Sequence, residues 1–321
     1  MSGEITVVVP TRDRAALLVD ALASVAAQER PPVRTLVIDD CSAEPPIVPA
    51  GGGTVELVRR RVAGGVSAAR NDGLARVETE WVAFLDDDDI WAPPKLARQL
   101  DAADTWEASF VWCAVVVVDE RRRPIGLVAA ADPASLLPRL VRTNVIGSPS
   151  AVLARTALVR AVGGFDEELS LLADWDLWLR LAAAARGGAS REVLVAYTEH
   201  AGNMTATAQS GVERELAQMA EKHAALVGEH GGRLGGADLE RWRVGAGRRA
   251  GGRLGAARAY LAAGVRERDA GSLARAPAAL LGEGLQGRLR ARRAAARVGA
   301  TPWLDPYRRP ESATASTAPV A

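Results

Sequence analysis

Strand-like apolar runs alternate with helix-like segments along the first 90 residues, and this alternation limits the possible folds more than any other feature of the chain. The apolar runs are 5–9, 35–38, 54–58 and 81–85. Strands that alternate with helices indicate a parallel, doubly wound α/β sheet. Ligands of such sheets bind beyond the carboxyl ends of the strands.

Four consecutive aspartates, Asp86 to Asp89, follow the fourth apolar run. Adjacent carboxylates repel one another unless a cation or water neutralises them. Mg²⁺ and Mn²⁺ prefer oxygen ligands and share them readily with phosphates. A solvated acidic turn is the alternative that the run by itself leaves open. Pro10-Thr11 and Asp39-Asp40 end two other predicted strands, so all three segments are expected to converge on one pocket.

Two further segments suit a nucleotide. Asp40, at the end of the second strand, can accept a hydrogen bond from a base imide or a ribose hydroxyl, although a plain strand-end turn would also explain it. Gly64 and Gly65 open a predicted helix, where free N–H groups favour an anion and Ser67 is a candidate cap. Arg70, in the first turns of that helix, adds a charge suited to a diphosphate.

The charge is divided unevenly along the chain. Residues 241–310 contain sixteen Arg and four acidic residues, which gives +12 and leaves −11 for the rest of a chain whose total is +1. The basic segment predicts peripheral contact with an anionic membrane surface, and solvated Arg-rich helices are the alternative. Nothing in the sequence indicates a nucleic-acid partner. The amino terminus lacks a signal-peptide pattern, and Cys41 and Cys113 match no metal or redox spacing, so we expect a cytoplasmic chain.

The later part of the chain is less regular. Helices are predicted at 93–103 and 174–185, and strands at 109–118, 144–153 and 193–197, the second of them interrupted at Gly147-Ser148-Pro149. From about residue 210 the pattern is helical to roughly 297, and 310–321 has a disordered composition.

Six motifs, taken in order over about 200 residues, resemble the family 2 glycosyltransferases, which are inverting nucleotide-sugar enzymes with the GT-A fold. The motifs are Val7 to Arg14, Val37 to Ser42, Gly65 to Gly73, Phe84 to Asp89, Gly163 to Glu167 with Ala173 to Arg180, and Tyr197 to Thr205. The resemblance implies a doubly wound mixed sheet with a C-terminal helical appendage. It divides the chain into a GT-A domain at 1–209, a helical Arg-rich region at 210–309 and a tail at 310–321.

The resemblance also implies roles for individual residues. Asp86 and Asp88 would bind Mg²⁺ or Mn²⁺, and Asp174 would be the general base that deprotonates the acceptor. His200 would approach the metal or the diphosphate, with a loop histidine of no role as the alternative. The residues assigned to the nucleotide are Pro10, Thr11, Arg14, Asp40, Arg70 and Asp87.

Three positions depart from the family pattern. Asp13 replaces an Asn, Ala63 stands where an Asn is frequent, and Ala173 replaces the Glu that precedes the base, which leaves the base in place but affects the expected acceptor geometry. Tryptophans near the motifs suggest sugar stacking. The spacing of Trp178 favours the core, whereas Trp91 suits a lid and packing equally.

The sequence therefore predicts an inverting, metal-dependent hexosyltransferase that uses a UDP- or dTDP-sugar and a glycan, lipid-linked or small-molecule acceptor, in cell-envelope glycan biosynthesis. A non-catalytic nucleotide-sugar-binding scaffold is one alternative. A sugar nucleotidyltransferase is another, but it normally needs a Gly-rich loop after the first strand, where this chain has Pro10-Thr11-Arg12-Asp13-Arg14.

Overall fold

The structure is a computed structural model that describes residues 3–48, 54–200, 209–231, 233–235, 252–258, 260–262, 264–265, 270–280, 298 and 301–309. The proposed tail at 310–321 lies outside the described residues, and the proposed region at 210–309 lies only partly within them. No helix among the described residues is long and apolar enough to cross a membrane.

Nine strands of the described residues form one sheet. They are β1 (Ile5–Thr11), β2 (Arg34–Asp39), β3 (Thr54–Arg59), β4 (Trp81–Phe84), β5 (Ile90–Trp91), β6 (Phe110–Val118), β7 (Pro124–Val128), β8 (Val152–Arg155) and β9 (Gly187–Thr198). The strand order is β3-β2-β1-β4-β8-β6-β9-β5, and β7 pairs with β6 outside this order. The first four strands are parallel, as the alternating pattern predicts.

The other half of the sheet is mixed. β8 runs antiparallel to both β4 and β6, and β5 and β7 are also antiparallel to their neighbours. β6 and β9 run parallel to each other. The parallel sheet predicted from the alternating pattern is therefore correct only for the first four strands. The mixed sheet that the family resemblance implies is confirmed.

Helices pack against the sheet, and others follow it in the chain. They are α1 (Ala15–Ala26), α2 (Gly65–Ala75), α3 (Lys95–Trp106), α4 (Leu136–Leu140), α5 (Thr156–Ala161), α6 (Ala173–Ala184), α7 (Gln209–Lys222), α8 (Ala224–Glu229) and α9 (Ala270–Leu280). One continuous core buries the apolar residues of the central strands, and it includes Val212, Leu216 and Met219 of α7.

Three sequence predictions about elements need correction. The strand predicted at 144–153 is shorter and later, because Gly147 has a positive φ of 94° and Pro149 starts a 3-10 turn, so only Val152–Arg155 forms a strand. β9 begins six residues earlier than predicted, since its small and polar first residues pair with β6. The two-residue strand β5 and the half-buried strand β7 lie in segments where no strand is predicted.

A short segment near the C-terminal end of the described residues packs against the sheet. Pro302–Tyr307 forms a 3-10 helix, and its Leu304 is fully buried against Ile90, Val116 and Ala196. This contact brings residues 301–309 next to β5, which follows the aspartate run directly.

Candidate active site

The carboxyl ends of β1 and β4 meet through hydrogen bonds between their first polar side chains. Thr11 Oγ1 donates to Asp87 Oδ2 at 2.7 Å, and Arg14 Nη1 lies 3.3 Å from Asp87 Oδ1. Both partners favour the ionised carboxylate, but burial and the adjacent Asp88 carboxylate outweigh them and raise the pKa of Asp87 to about 7. Asp87 is therefore held by the β1 turn.

Asp86 and Asp88 face the pocket and are paired with cationic or ring nitrogen groups. Arg70 Nη2 donates to Asp86 Oδ1 at 2.5 Å. Asp88 Oδ2 lies 2.9 Å from Arg14 Nη1 and 3.0 Å from His200 Nε2. The structure thus brings His200 next to Asp88 of the aspartate run.

Asp89 has a different environment from its three neighbours. It is fully buried, its Oδ2 accepts from the hydroxyls of Ser148 (3.0 Å) and Ser150 (2.6 Å), and its Oδ1 accepts from the Thr198 N–H (3.1 Å). Burial raises its pKa well above the usual range. Asp89 therefore fixes the turn to β9 and to the segment before β8, and a wholly solvated acidic turn is ruled out.

Arg122 holds the same turn from behind and was not predicted from the sequence. Its guanidinium donates to the Asp88 carbonyl at 3.0 Å and to Thr198 Oγ1, and lies 3.4 Å from Asp20 Oδ2. Arg309, in the C-terminal segment, pairs with the same Asp20 oxygen at 3.1 Å. The only signal in the sequence was a charged residue in a run of three arginines, Arg121 to Arg123, which usually indicates solvent exposure.

Asp40 fixes the start of α2. Its two oxygens accept from the N–H groups of Gly64 (2.9 Å) and Gly65 (2.8 Å), and Arg60 Nη1 pairs with it at 2.5 Å. A carboxylate at a helix N-terminus is stabilised by the unpaired N–H groups there. Ser67 does not cap the helix as predicted, because its hydroxyl donates instead to the Leu169 carbonyl at 2.9 Å.

Asp174 is the second residue of α6. Its Oδ1 accepts from the Trp175 N–H (2.7 Å) and its Oδ2 from Asn144 Nδ2 (3.0 Å). Burial is the largest influence on this carboxyl and raises its pKa to about 6, although the hydrogen bonds and the nearby Arg70 guanidinium oppose the rise. A carboxyl with this pKa is largely ionised at neutral pH and can still accept a proton.

One pocket collects most of the predicted site residues. They are Pro10, Arg14, Arg70, Asp86, Asp87, Asp88 and Asp174, together with Ser148, Ser170, Leu171 and Tyr197, which were not predicted. Thr11 and Asp40 support this pocket through the contacts above but do not line it. Trp91, Trp175 and Trp178 are buried, and the indole N–H groups of Trp91 and Trp175 donate to the Ser150 and Leu140 carbonyls. Trp91 therefore packs in the core and is not a lid.

The carboxylate oxygens that line the pocket suit a hard divalent cation. Asp86 and Asp88 both present carboxylate oxygens on one wall, and Mg²⁺ is commonly held by one or two carboxylates together with substrate phosphates. Within the described residues no three His, Cys, Asp or Glu side chains are grouped as a preformed metal cage. The residues therefore fit a metal shared with a bound diphosphate.

Comparison with known proteins relates the N-terminal part of this site to a family. Residues 6–157 match the model described as glycosyl transferase family 2. The N-terminal half of the chain belongs to glycosyl transferase family 2. Among curated relatives, the succinoglycan biosynthesis protein ExoO of Rhizobium meliloti is 31% identical over 211 residues, which are 61% of this chain and 60% of ExoO. The pre-mycofactocin glycosyltransferase of Mycobacterium tuberculosis is 30% identical over 197 residues, 57% of this chain and 40% of that protein.

The chain also shares its fold with a solved structure. S. aureus TarS 1-349 aligns with a TM-score of 0.55 at 17% identity, over 90% of this chain and 88% of that one. The same TarS fragment has been solved with UDP (TM-score 0.54) and with UDP-GlcNAc (TM-score 0.53). The GT-A fold is thereby confirmed. The chain spans 40 to 60% of the length of the first two curated relatives.

Proposed function

We propose that this family 2 protein transfers a hexose from a UDP- or dTDP-sugar to an acceptor hydroxyl with inversion at the anomeric carbon. The observation that carries the proposal is the shared pocket of Asp86, Asp88 and Asp174, in which Asp174 has a pKa of about 6. The family match and the UDP complexes of TarS support a nucleotide-sugar donor. ExoO, named for succinoglycan biosynthesis, supports a role in glycan synthesis, and the proposed acceptor is a glycan, a lipid-linked sugar or a small molecule.

Asp174 supplies the base of the reaction. Its carboxylate takes the proton of the acceptor hydroxyl while that oxygen attacks the anomeric carbon. The bond between this carbon and the diphosphate oxygen breaks in the same step, and the nucleoside diphosphate leaves with the bonding electron pair. A single direct displacement of this kind inverts the anomeric carbon and needs no covalent intermediate.

The part of the pocket assigned to the diphosphate contains positively charged side chains, opposite in sign to the phosphate groups. Arg14 and Arg70 offer guanidinium groups to phosphate oxygens, and each is held in the pocket by a carboxylate of the aspartate run. Asp86 and Asp88, with His200 beside Asp88, would hold Mg²⁺ or Mn²⁺, which when bound neutralises the charge of a leaving diphosphate. Pro10 would form the floor next to the nucleobase, and Thr11 and Asp40 support this floor from outside the pocket.

The test combines donor binding with product release. Nucleoside diphosphates and nucleotide sugars are screened by thermal shift with and without Mn²⁺, and release of nucleoside diphosphate is then measured with glycan acceptors. Asp88→Ala is expected to lose the metal-dependent shift, and Asp174→Asn to keep it while losing turnover. Asp101→Asn, at an exposed position of α3, is the control.

Each alternative gives a different result in this test. A scaffold would bind the donor without releasing nucleoside diphosphate from it. A nucleotidyltransferase would instead release pyrophosphate from a nucleoside triphosphate and a sugar phosphate. Absence of any nucleotide-dependent shift in the wild type would contradict the proposed donor site.

Peripheral membrane contact through residues 241–310 is a further part of the proposal. Within the described pieces of this segment, Leu254, Leu261 and Val265 are exposed beside the exposed Arg253 and Arg258. Apolar and cationic groups together favour the interface of an anionic bilayer. Co-sedimentation with vesicles that contain anionic lipid, and none with neutral vesicles, is expected. Equal recovery in the supernatant of both would contradict it.

A further inference from the structure

The segment directly before α6 is held by a carboxylate from a distant part of the chain. Glu215 of α7 is fully buried. Its Oε1 accepts from the N–H (3.0 Å) and the hydroxyl (2.8 Å) of Ser170, and its Oε2 accepts from the N–H groups of Leu171 and Leu172 at 2.9 Å each. One side chain thus satisfies three backbone amides and a hydroxyl.

These amides need a partner that their own segment does not provide. The first N–H groups of an α-helix have no acceptor inside the helix, and a polar side chain at the N-cap usually supplies one. Here the N-cap is Leu172 and no side chain caps α6. The carboxylate of Glu215 instead accepts from the N–H groups of the N-cap Leu172 and of the two residues before it, close to the N-terminal end of the α6 dipole, which favours its negative charge.

The segment that Glu215 holds belongs to the pocket. Ser170 and Leu171 line the pocket, and so do Ala173 and Asp174 in the first turn of α6. The position and direction of this first turn decide where the Asp174 carboxylate lies. Ala173 contributes no polar group, so α7 supplies the polar support of the segment before this turn, in addition to the hydrogen bond from Asn144 to Asp174.

A buried carboxylate is costly unless hydrogen bonds replace its hydration, so such a group is kept where its position matters. We propose that Glu215 is a positioning residue for the transfer reaction, which fixes the Ser170–Leu172 segment and through it the general base Asp174. This inference rests on the proposed function. It also makes α7 part of the catalytic unit, although the sequence predicts a domain boundary at 209.

The test compares Glu215→Gln with Glu221→Gln in the full chain. Both residues lie on α7, and Glu221 is exposed, so the second variant makes the same chemical change outside the segment. Gln has one amide oxygen in place of two carboxylate oxygens, so it cannot accept all four hydrogen bonds. We expect faster hydrogen exchange of the peptide covering 168–176 in Glu215→Gln alone.

The kinetic result should separate positioning from folding. Glu215→Gln is expected to lower kcat by about 10- to 100-fold, the scale of loss that a misplacement of about 1 Å causes, while the thermal shift produced by the nucleotide donor stays as in wild type. Exchange and kcat equal to those of Glu221→Gln would overturn the proposal. If Glu215→Gln does not fold, Ser170→Ala, which removes one of the four donors, replaces it. Unchanged exchange and kcat in that variant would also overturn the proposal.

Failure of the proposed function is distinguishable from failure of this inference. A wild-type protein that binds no nucleotide sugar and releases no nucleoside diphosphate would contradict the function, whatever the exchange data show. An active wild type with an equally active Glu215→Gln would contradict only the positioning role.

Discussion

The protonation state of Asp174 should set the acidic limit of activity. The pKa of this carboxyl is raised to about 6, chiefly by burial, and the reaction needs its ionised form. Activity is therefore expected to fall as pH drops through about 6. Asn144 Nδ2 donates to the carboxylate and favours ionisation, so Asn144→Leu should raise the pKa and move the acidic limb of kcat/KM to higher pH.

The pH profile of kcat/KM for wild type, Asn144→Leu and Asp101→Asn measures this effect. Asp101→Asn changes an exposed carboxylate and should leave the limb in place. Asp174→Asn is expected to lower kcat by about 10²- to 10⁴-fold, the usual contribution of a positioned base. An acidic limb that does not move in Asn144→Leu would contradict the assignment of Asp174 as the base.

A second residue, Lys95, lies outside the candidate active site and should change how the free energy of unfolding depends on pH. Its ammonium group is fully buried, lies 3.6 Å from the centre of the Trp91 ring and has no hydrogen-bond partner among the described residues. Burial lowers its pKa from 10.5 to about 7. Between these two values the unfolded chain binds the proton and the folded chain does not, so the free energy of unfolding should rise with pH across this range.

Lys95→Met should remove that dependence. The substitution keeps the volume and removes a buried polar group without partners, so we expect a gain on the order of 1–3 kcal/mol at pH 7. Urea unfolding at pH 6, 7 and 9 measures it, and Arg98→Met, at an exposed position of the same helix, is the control. A loss of stability in Lys95→Met at pH 7 would show that the amine has a favourable partner.

At the scale of elements, the contact between α2 and the sheet depends on the absence of a side chain at Gly73. A Cβ at this position would lie 2.4 Å from Val8 Cγ1 and 3.2 Å from Ile38 Cγ1. Gly73→Ala should therefore push α2 away from β1 and destabilise the fold by about 1–3 kcal/mol. It should also weaken donor binding, because α2 carries Arg70.

The matched control for this change is Gly228→Ala in α8. A Cβ there meets no atom within 4 Å, and Ala is a better helix former than Gly by about 1 kcal/mol, so the control should be neutral or stabilising. Thermal unfolding and the nucleotide-dependent shift are measured for both variants. Equal stability of the two would contradict the close packing of α2 on β1.

The same scale shows why some elements could be predicted and others could not. β1, β2 and β4 are short apolar runs that end in polar residues, so both the strands and the residues at their ends follow from local pattern. β7 contains Gly126 and is half-buried throughout, and the part of β9 before residue 193 starts with Gly187 and Gly188, so neither segment has the pattern that marks a strand. Their formation depends on β6, which pairs with both.

The residues of the candidate active site also divide into those that local sequence motifs predict and those that depend on contacts with distant residues. Asp86, Asp88 and Arg70 lie in motifs that the sequence displays, and the structure brings them to one pocket with Asp174. Arg122 and Glu215 act through contacts with residues 34 to 102 positions away, and no local signal distinguishes them from surface charges. Ser67 illustrates the opposite error, since local pattern predicts a cap that the tertiary contact with Leu169 replaces.

At the scale of the whole molecule, α7 and the residue after it contact α6 of the GT-A domain through a second buried carboxylate. Asp176 of α6 is fully buried and accepts from Arg180, while His223 Nε2 lies 2.8 Å and Lys222 Nζ 2.9 Å from its Oδ1. Burial alone would raise the pKa of Asp176, but the contacts with His223 and Arg180 outweigh it and lower the pKa to about 2. Asp176 and Glu215 therefore connect α7 both to the first turn of α6 and to the segment just before it.

This attachment predicts how stability responds to acid. Because the pKa of Asp176 is lower in the folded chain than in the unfolded chain, its contribution is present above about pH 4 and is lost as pH falls towards 2. Asp176→Asn should cost about 3–5 kcal/mol at pH 7, the usual cost of breaking a buried pair, and much less near pH 2. Urea unfolding of this variant and of Asp101→Asn at several pH values measures the difference.

A chain that ends at residue 208 loses Glu215, Lys222 and His223 together, so it should be less stable than Asp176→Asn. A shortened chain as stable as the full one would show that α7 is a separate unit.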